Sequence, residues 1–201
     1  MSPLSKVGLG FAGLTGVSGA GYLGFQQLAK DPKESFKSKY ALAVKDFLSN
    51  DATLTKKLNS LGGDSSSPKH PDLVNAKKLK GESKVTDATA SLKKGCEDIH
   101  NKPIDSGFFE DFKNYCSFNN EDKIEGNKTF VAASGDVASK QQAFSNKNLD
   151  QLQKGFTGIA KPAGSPADTN WQNSMLTECK KLATEIFEGE IPNFKEFCVK
   201  G

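Results

Sequence analysis

Apolar residues recur at helical spacing along much of the chain, and the pattern is clearest around its four cysteines. Val85, Ala88, Leu92, Cys96 and Ile99 fall three or four positions apart, which places them on one face of a helix. Across a turn from Pro103 to Gly107 they are answered by Phe108, Phe112, Tyr115 and Cys116. The same order returns near the C-terminus. Trp171, Met175, Cys179, Leu182, Ala183, Ile186 and Phe187 form a second stripe, followed by a Gly189-to-Pro192 turn and then Phe194, Phe197 and Cys198. Pro166, Asp168 and Thr169 mark the start of that second long helix. Pro192 suits the first position of the closing helix, where its missing amide hydrogen costs nothing. Both sulfurs of each half are thus predicted to face inward.

The cysteines are 20 residues apart in the first copy and 19 in the second, and Ser91-Leu92 stands where Ser174-Met175 stands. Internal repetition of this kind sets the architecture to expect. That architecture is mainly α: an N-terminal hydrophobic segment followed by two related small helical-hairpin repeats, each stapled by one disulfide. Four cysteines permit three connectivities, and spacing alone does not choose among them. The duplication favours Cys96 with Cys116 and Cys179 with Cys198. A bridge closing such a loop stabilises by about 3 kcal/mol in the chain-entropy model, and it persists only in an oxidising compartment. The alternative is four reduced, buried cysteines acting as small apolar residues. No metal site is expected, because structural zinc wants close pairs of Cys or His and none is present.

Between these landmarks the pattern is weaker. Phe36, Tyr40, Ala43, Val44, Phe47 and Leu48 predict an amphipathic helix. Ser49-Asn50-Asp51 reads as its end and as the cap of a successor carrying Leu54, Leu58 and Leu61. The serines and prolines of residues 62–71 have the composition of a linker. Residues 117–147 are polar, with Thr129-Phe130-Val131 a candidate strand, and Leu149, Leu152 and Phe156 predict a helix over 148–159. The expected organisation is a signal peptide or membrane anchor over 1–30, connecting helices over 31–61, a linker over 62–71 and a first cysteine-bearing helical repeat over 72–118. A loop-rich connector over 119–168 and a second such repeat over 169–201 follow.

Residues 7–29 carry no charge and lie between Lys6 and Lys30. Their length suffices to span a bilayer, which needs about 20 predominantly apolar residues, although seven glycines between Val7 and Phe25 dilute the hydrophobicity. A cleavable export signal is the other reading, with Ser18 and Ala20 placed as a cleavage site requires. Apolar character continues past Ala20 through Tyr22, Leu23 and Phe25, which favours the anchor. Lys30, Lys33, Lys37 and Lys39 oppose export of the following part under the positive-inside rule, whereas the cysteines support it.

The net charge is +3, all cations other than the two histidines are Lys, and 14 Phe supply much of the large apolar surface. Beyond Lys30 the lysines nearly balance the 24 acidic residues, so no field steers the chain to DNA or anionic lipid. Absence of Arg removes the main reader of guanine, and no nucleic-acid partner is expected. His70 and His100 have no Cys or Ser motif beside them and are expected at the surface, so no catalytic residue and no cofactor is assigned. The pairs Glu97-Asp98, Glu110-Asp111 and Glu121-Asp122 diverge on a helix and are expected to be solvated. Asn127-Lys128-Thr129 matches a glycosylation acceptor, which matters only in a secretory eukaryotic host.

The opening Met1-Ser2-Pro3-Leu4-Ser5-Lys6, the glycine-rich run to Phe25, the lack of Arg and the segments Lys93-Lys94-Gly95-Cys96, Phe112-Lys113-Asn114-Tyr115-Cys116 and Phe194-Lys195-Glu196-Phe197-Cys198 resemble a known group. They are similar in layout to the lineage-specific paralogous hypothetical proteins of haemotropic mycoplasmas. The resemblance implies a membrane-anchored or secreted surface protein, a non-enzymatic host-interaction or variable antigen module. Its implied partners are the membrane, through residues 7–29, and an extracellular host protein, met by the loops 62–71, 117–147 and 158–168. Two alternatives stand beside it: an intracellular membrane-peripheral scaffold with free thiols, and a secreted enzyme with an unrecognised site.

Overall fold

The computed structural model describes residues 33–164 and 168–201. The anchor or signal expected over residues 1–30 lies outside the described residues. From Lys33 to Gly201 the chain forms one mainly helical unit that has two apolar cores.

The first core is built on α5, Val85–Asn101, whose Ala88, Leu92, Cys96 and Ile99 are fully buried while Val85 is half exposed. Against it pack α3, Asp51–Leu61, α4, Pro71–Gly81, and α6, Phe109–Tyr115. As the sequence indicates, the Asn50 side chain caps α3 by accepting from the Thr53 amide. Gly95 lets α4 and α5 approach closely. A methyl there would sit 3.1 Å from Asp72 Cβ and 3.2 Å from Leu73 Cδ2.

The single helix expected over residues 36–48 is instead two short pieces, α1, Phe36–Lys39, and α2, Ala41–Val44, with a 3₁₀ turn at Phe47–Ser49. Backbone competition explains the second break: the Ala43 carbonyl, which a continuous helix would pair with residue 47, accepts from the Phe118 amide at 2.9 Å. Upstream, the Phe36 amide donates to the Lys102 carbonyl and the Ile104 amide to that of Glu34, which tethers the start of α1. Asp46, in the left-handed region at φ +60°, ends the helical run. Phe36 still stacks on Phe112 at 4.6 Å between ring centroids, so the apolar face reaches its core despite the broken backbone.

Helix α8, Thr169–Ala183, organises the second core, capped by Asp168, which accepts from the Trp171 amide at 3.0 Å. Pro192 opens α9, Pro192–Phe197, as its fixed φ predicts. The stretch 119–168 contributes more than a connection: Val131, Val137, Phe144, Leu152 and Phe156 are buried in this core. Phe144 and Phe156 meet Phe197 at 5.4 and 5.7 Å. Its described residues fold as 3₁₀ turns, a two-residue strand and a short helix, α7, Gln141–Ser145. The helix expected over 148–159 is replaced by two 3₁₀ turns, Leu149–Gln151 and Lys154–Gly158, and Leu149 is 68% exposed. Thr129–Phe130, β1, does form a strand; it pairs antiparallel with β2, Val199–Lys200, and Lys200 reaches Asp136 in the 3₁₀ turn that follows β1.

Among the described residues, no helix is long and apolar enough to cross a membrane.

Candidate functional site

All four cysteines are bridged, Cys96 to Cys116 and Cys179 to Cys198, with Cα atoms 5.0 and 5.3 Å apart. Each bond ties a long helix to the short helix that follows it, and all four cysteines are fully buried. Such distances lie within the range that a disulfide requires.

The histidines expected at the surface are both buried, His70 at 4% exposure and His100 at 5%. Long-range hydrogen bonds make this burial tolerable. His70 uses its Nδ1 to accept from the Asp72 amide, capping α4, and its Nε2–H donates to Asp98 at 2.8 Å. That bond, with another from Lys102, holds the Asp98 carboxyl below its ordinary range. His100 donates through Nε2 to the Cys116 carbonyl at 2.6 Å, and burial pulls its pKa down against that bond. The imidazoles therefore brace the first core.

Two of the acidic pairs also depart from the solvated faces expected of them. Asp111 is buried and accepts from the amides of Lys69 and His70, so it pins the end of the 62–71 stretch onto α6. That stretch, read as a linker, also buries Ser66 and leads directly into α4. Asp122 pairs with Lys57 at 2.9 Å, and burial pulls the Lys57 pKa down against the attraction of Asp122.

Asp122 belongs to the seam between the cores, which residues 118–124 build through their bonds to the end of α8. Asn120 donates its side-chain amide to the Leu182 carbonyl and its backbone amide to that of Glu185. Asn119 donates to the Thr184 carbonyl. These asparagines reach carbonyls at and just beyond the C-terminal end of α8, those of Thr184 and Glu185 together with that of Leu182, which also accepts from the Glu185 amide. Phe187 in turn donates its amide to the Phe118 carbonyl, and the Lys123 ammonium sits 3.4 Å above the centre of the Phe118 ring.

Beside this seam a cavity of about 300 Å³ opens between residues 120–128 and α9. Its apolar wall includes Ile124, Phe187, Ile191, Phe194 and Val199. Lys123, Lys128, Lys195, Glu125 and Glu190 provide its charges. Of these, Lys195 is paired with Glu190. Concave, mostly apolar and edged by a few charges, it has the composition of a small-molecule site. A larger cleft of about 580 Å³ lies on another side of the seam, but its Lys57 and Asp122 neutralise each other. Sequence reasoning missed the cavity because its wall is gathered from two segments some sixty residues apart, and the run 123–128, with Lys123 and Lys128 beside Glu125, carries no local pattern that marks it.

Among the described residues, no group of three or more His, Cys, Asp or Glu is placed to hold a metal ion. No protein family, curated protein or solved structure matches the chain.

Proposed function

We propose that the chain is a disulfide-stapled binding module displayed outside the cytoplasm, on a membrane or secreted, that contacts host components without catalysis. The observation that carries this reading is the pairing of all four cysteines within their own units, since persistent disulfides belong to oxidising compartments. It favours display over an intracellular scaffold with free thiols. The uncharged run 7–29 supplies the anchor or signal in this reading, and the resemblance in layout to the paralogous hypothetical proteins of haemotropic mycoplasmas agrees with it.

We also propose that the two bridged units descend from one duplicated segment. Support comes from the common order of long helix, turn, short helix and bridge, with cysteine separations of 20 and 19. The duplication is confined to the cysteine-to-cysteine cores. Upstream, α4 packs along α5, whereas the corresponding side of α8 meets 3₁₀ turns.

Protease treatment of intact cells tests the display. Residues 40–201 are expected to be cleaved while a cytoplasmic control survives; survival of that whole stretch would refute the proposal.

A further inference from the structure

We infer that the cavity beside α9 binds a monoanionic amphiphile, a chain carboxylate whose head lies at Lys123 and Lys128 and whose tail covers the apolar wall. This deepens, and rests on, the reading of the chain as a binding module.

The ionic balance of the mouth selects the head group. Lys195 is already engaged by Glu190. Lys123 and Lys128 have no carboxylate within ion-pair distance among the described residues, and Glu125 has no cation. Among the side chains that line the cavity one positive charge is left over, which a single carboxylate neutralises. The Phe118 ring below Lys123 attracts the ammonium but offers no lone pair, so its N–H donors stay available to an anion.

The shape selects an elongated tail. Phe187, Ile191 and Phe194 supply apolar lining on one segment, and Gly189, at φ +127°, adds no side chain among them. Beyond that glycine lies Leu42 of α2, 52% exposed, its Cδ1 3.9 Å from where a Cβ on Gly189 would sit. The apolar surface therefore continues out of the cavity, as a flexible alkyl chain needs and a compact aromatic acid does not.

Calorimetric titration of the full-length, oxidised chain with decanoate below its critical micelle concentration tests the inference. Saturable one-to-one binding is expected. Lys128→Glu, on an exposed side chain, should weaken it by about tenfold or more through loss and reversal of a head-group contact. Ile124→Trp, which fills the cavity, should abolish it. Decyltrimethylammonium, with the opposite head charge, should show no such binding. Equal decanoate affinity in the parent chain and both variants, or equal binding of the cationic amphiphile, overturns the inference. Absence of saturable binding overturns it too, and leaves the displayed location standing on the outcome of the protease experiment.

Discussion

Lys57 and Asp122 form a 2.9 Å ion pair whose side chains are only 7% and 8% exposed, and the pair joins a helix of the first core to the seam that leads into the second. Asn119, also bonded to Lys57, carries the connection onward to the Thr184 carbonyl. Removing one partner of a buried pair leaves the other charge without compensation. Lys57→Met should therefore lower stability by about 3–5 kcal/mol in chemical denaturation. Lys57→Met combined with Asp122→Leu should recover most of that loss. If both variants were as stable as the parent, the seam would not depend on the pair.

His100 predicts a pH dependence. Its folded pKa lies below its unfolded value near 6.5, so the fold favours the neutral ring. Above about pH 6.5 neither state carries the proton and the contribution to stability is complete. As pH falls below that value the unfolded chain binds a proton that the folded one refuses. Stability then declines by at most about 1.4 kcal/mol per pH unit until the folded ring titrates. His100→Gln keeps a donor for the Cys116 carbonyl and has no such titration. The stability difference between parent and variant should shift with pH between about 6.5 and 5; a constant difference would contradict the assignment.

The bridges stabilise separate cores. Cys96→Ala with Cys116→Ala, and Cys179→Ala with Cys198→Ala, should each cost about 3 kcal/mol, from loops of similar size. Thermal unfolding of the two double variants measures this.

Gly95 offers a substitution whose sign is opposite to helix propensity. Alanine in mid-helix normally gains about 1 kcal/mol over glycine. Here the added methyl meets Asp72, Leu73 and His70 at 3.1 to 3.3 Å, and the first of these contacts is a Cβ that cannot swing away. Gly95→Ala should lower the melting temperature, and Gly95→Val should lower it further.

Much of this fold was legible in short-range patterns. The four cysteines, the caps at Asn50 and Asp168 and the opening of α9 at Pro192 all act within a few residues of themselves, where spacing is informative. Helix α4 was not legible. It buries only Leu73 and Ala76, too few for a periodic signal, and its cap is an imidazole, whose Nδ1 does what a Ser or Asp usually does. The burial of both histidines depends on Asp98 and the Cys116 carbonyl, 28 and 16 residues away, and no local pattern encodes such partners. Around Leu152 and Phe156, a spacing of four was met by two 3₁₀ turns instead of one helix, because either conformation can turn both side chains toward Phe197 and its neighbours. The cavity wall needed the tertiary fold itself.

Non-reducing peptide mapping by mass spectrometry, on protein isolated from its native membrane or medium with thiols blocked at lysis, tests the central claim most directly. The expected result is one linked pair holding Cys96 and Cys116, a second holding Cys179 and Cys198, and no cysteine alkylated before reduction. Alkylation of all four cysteines, or peptides joining one unit's cysteine to the other's, would contradict it.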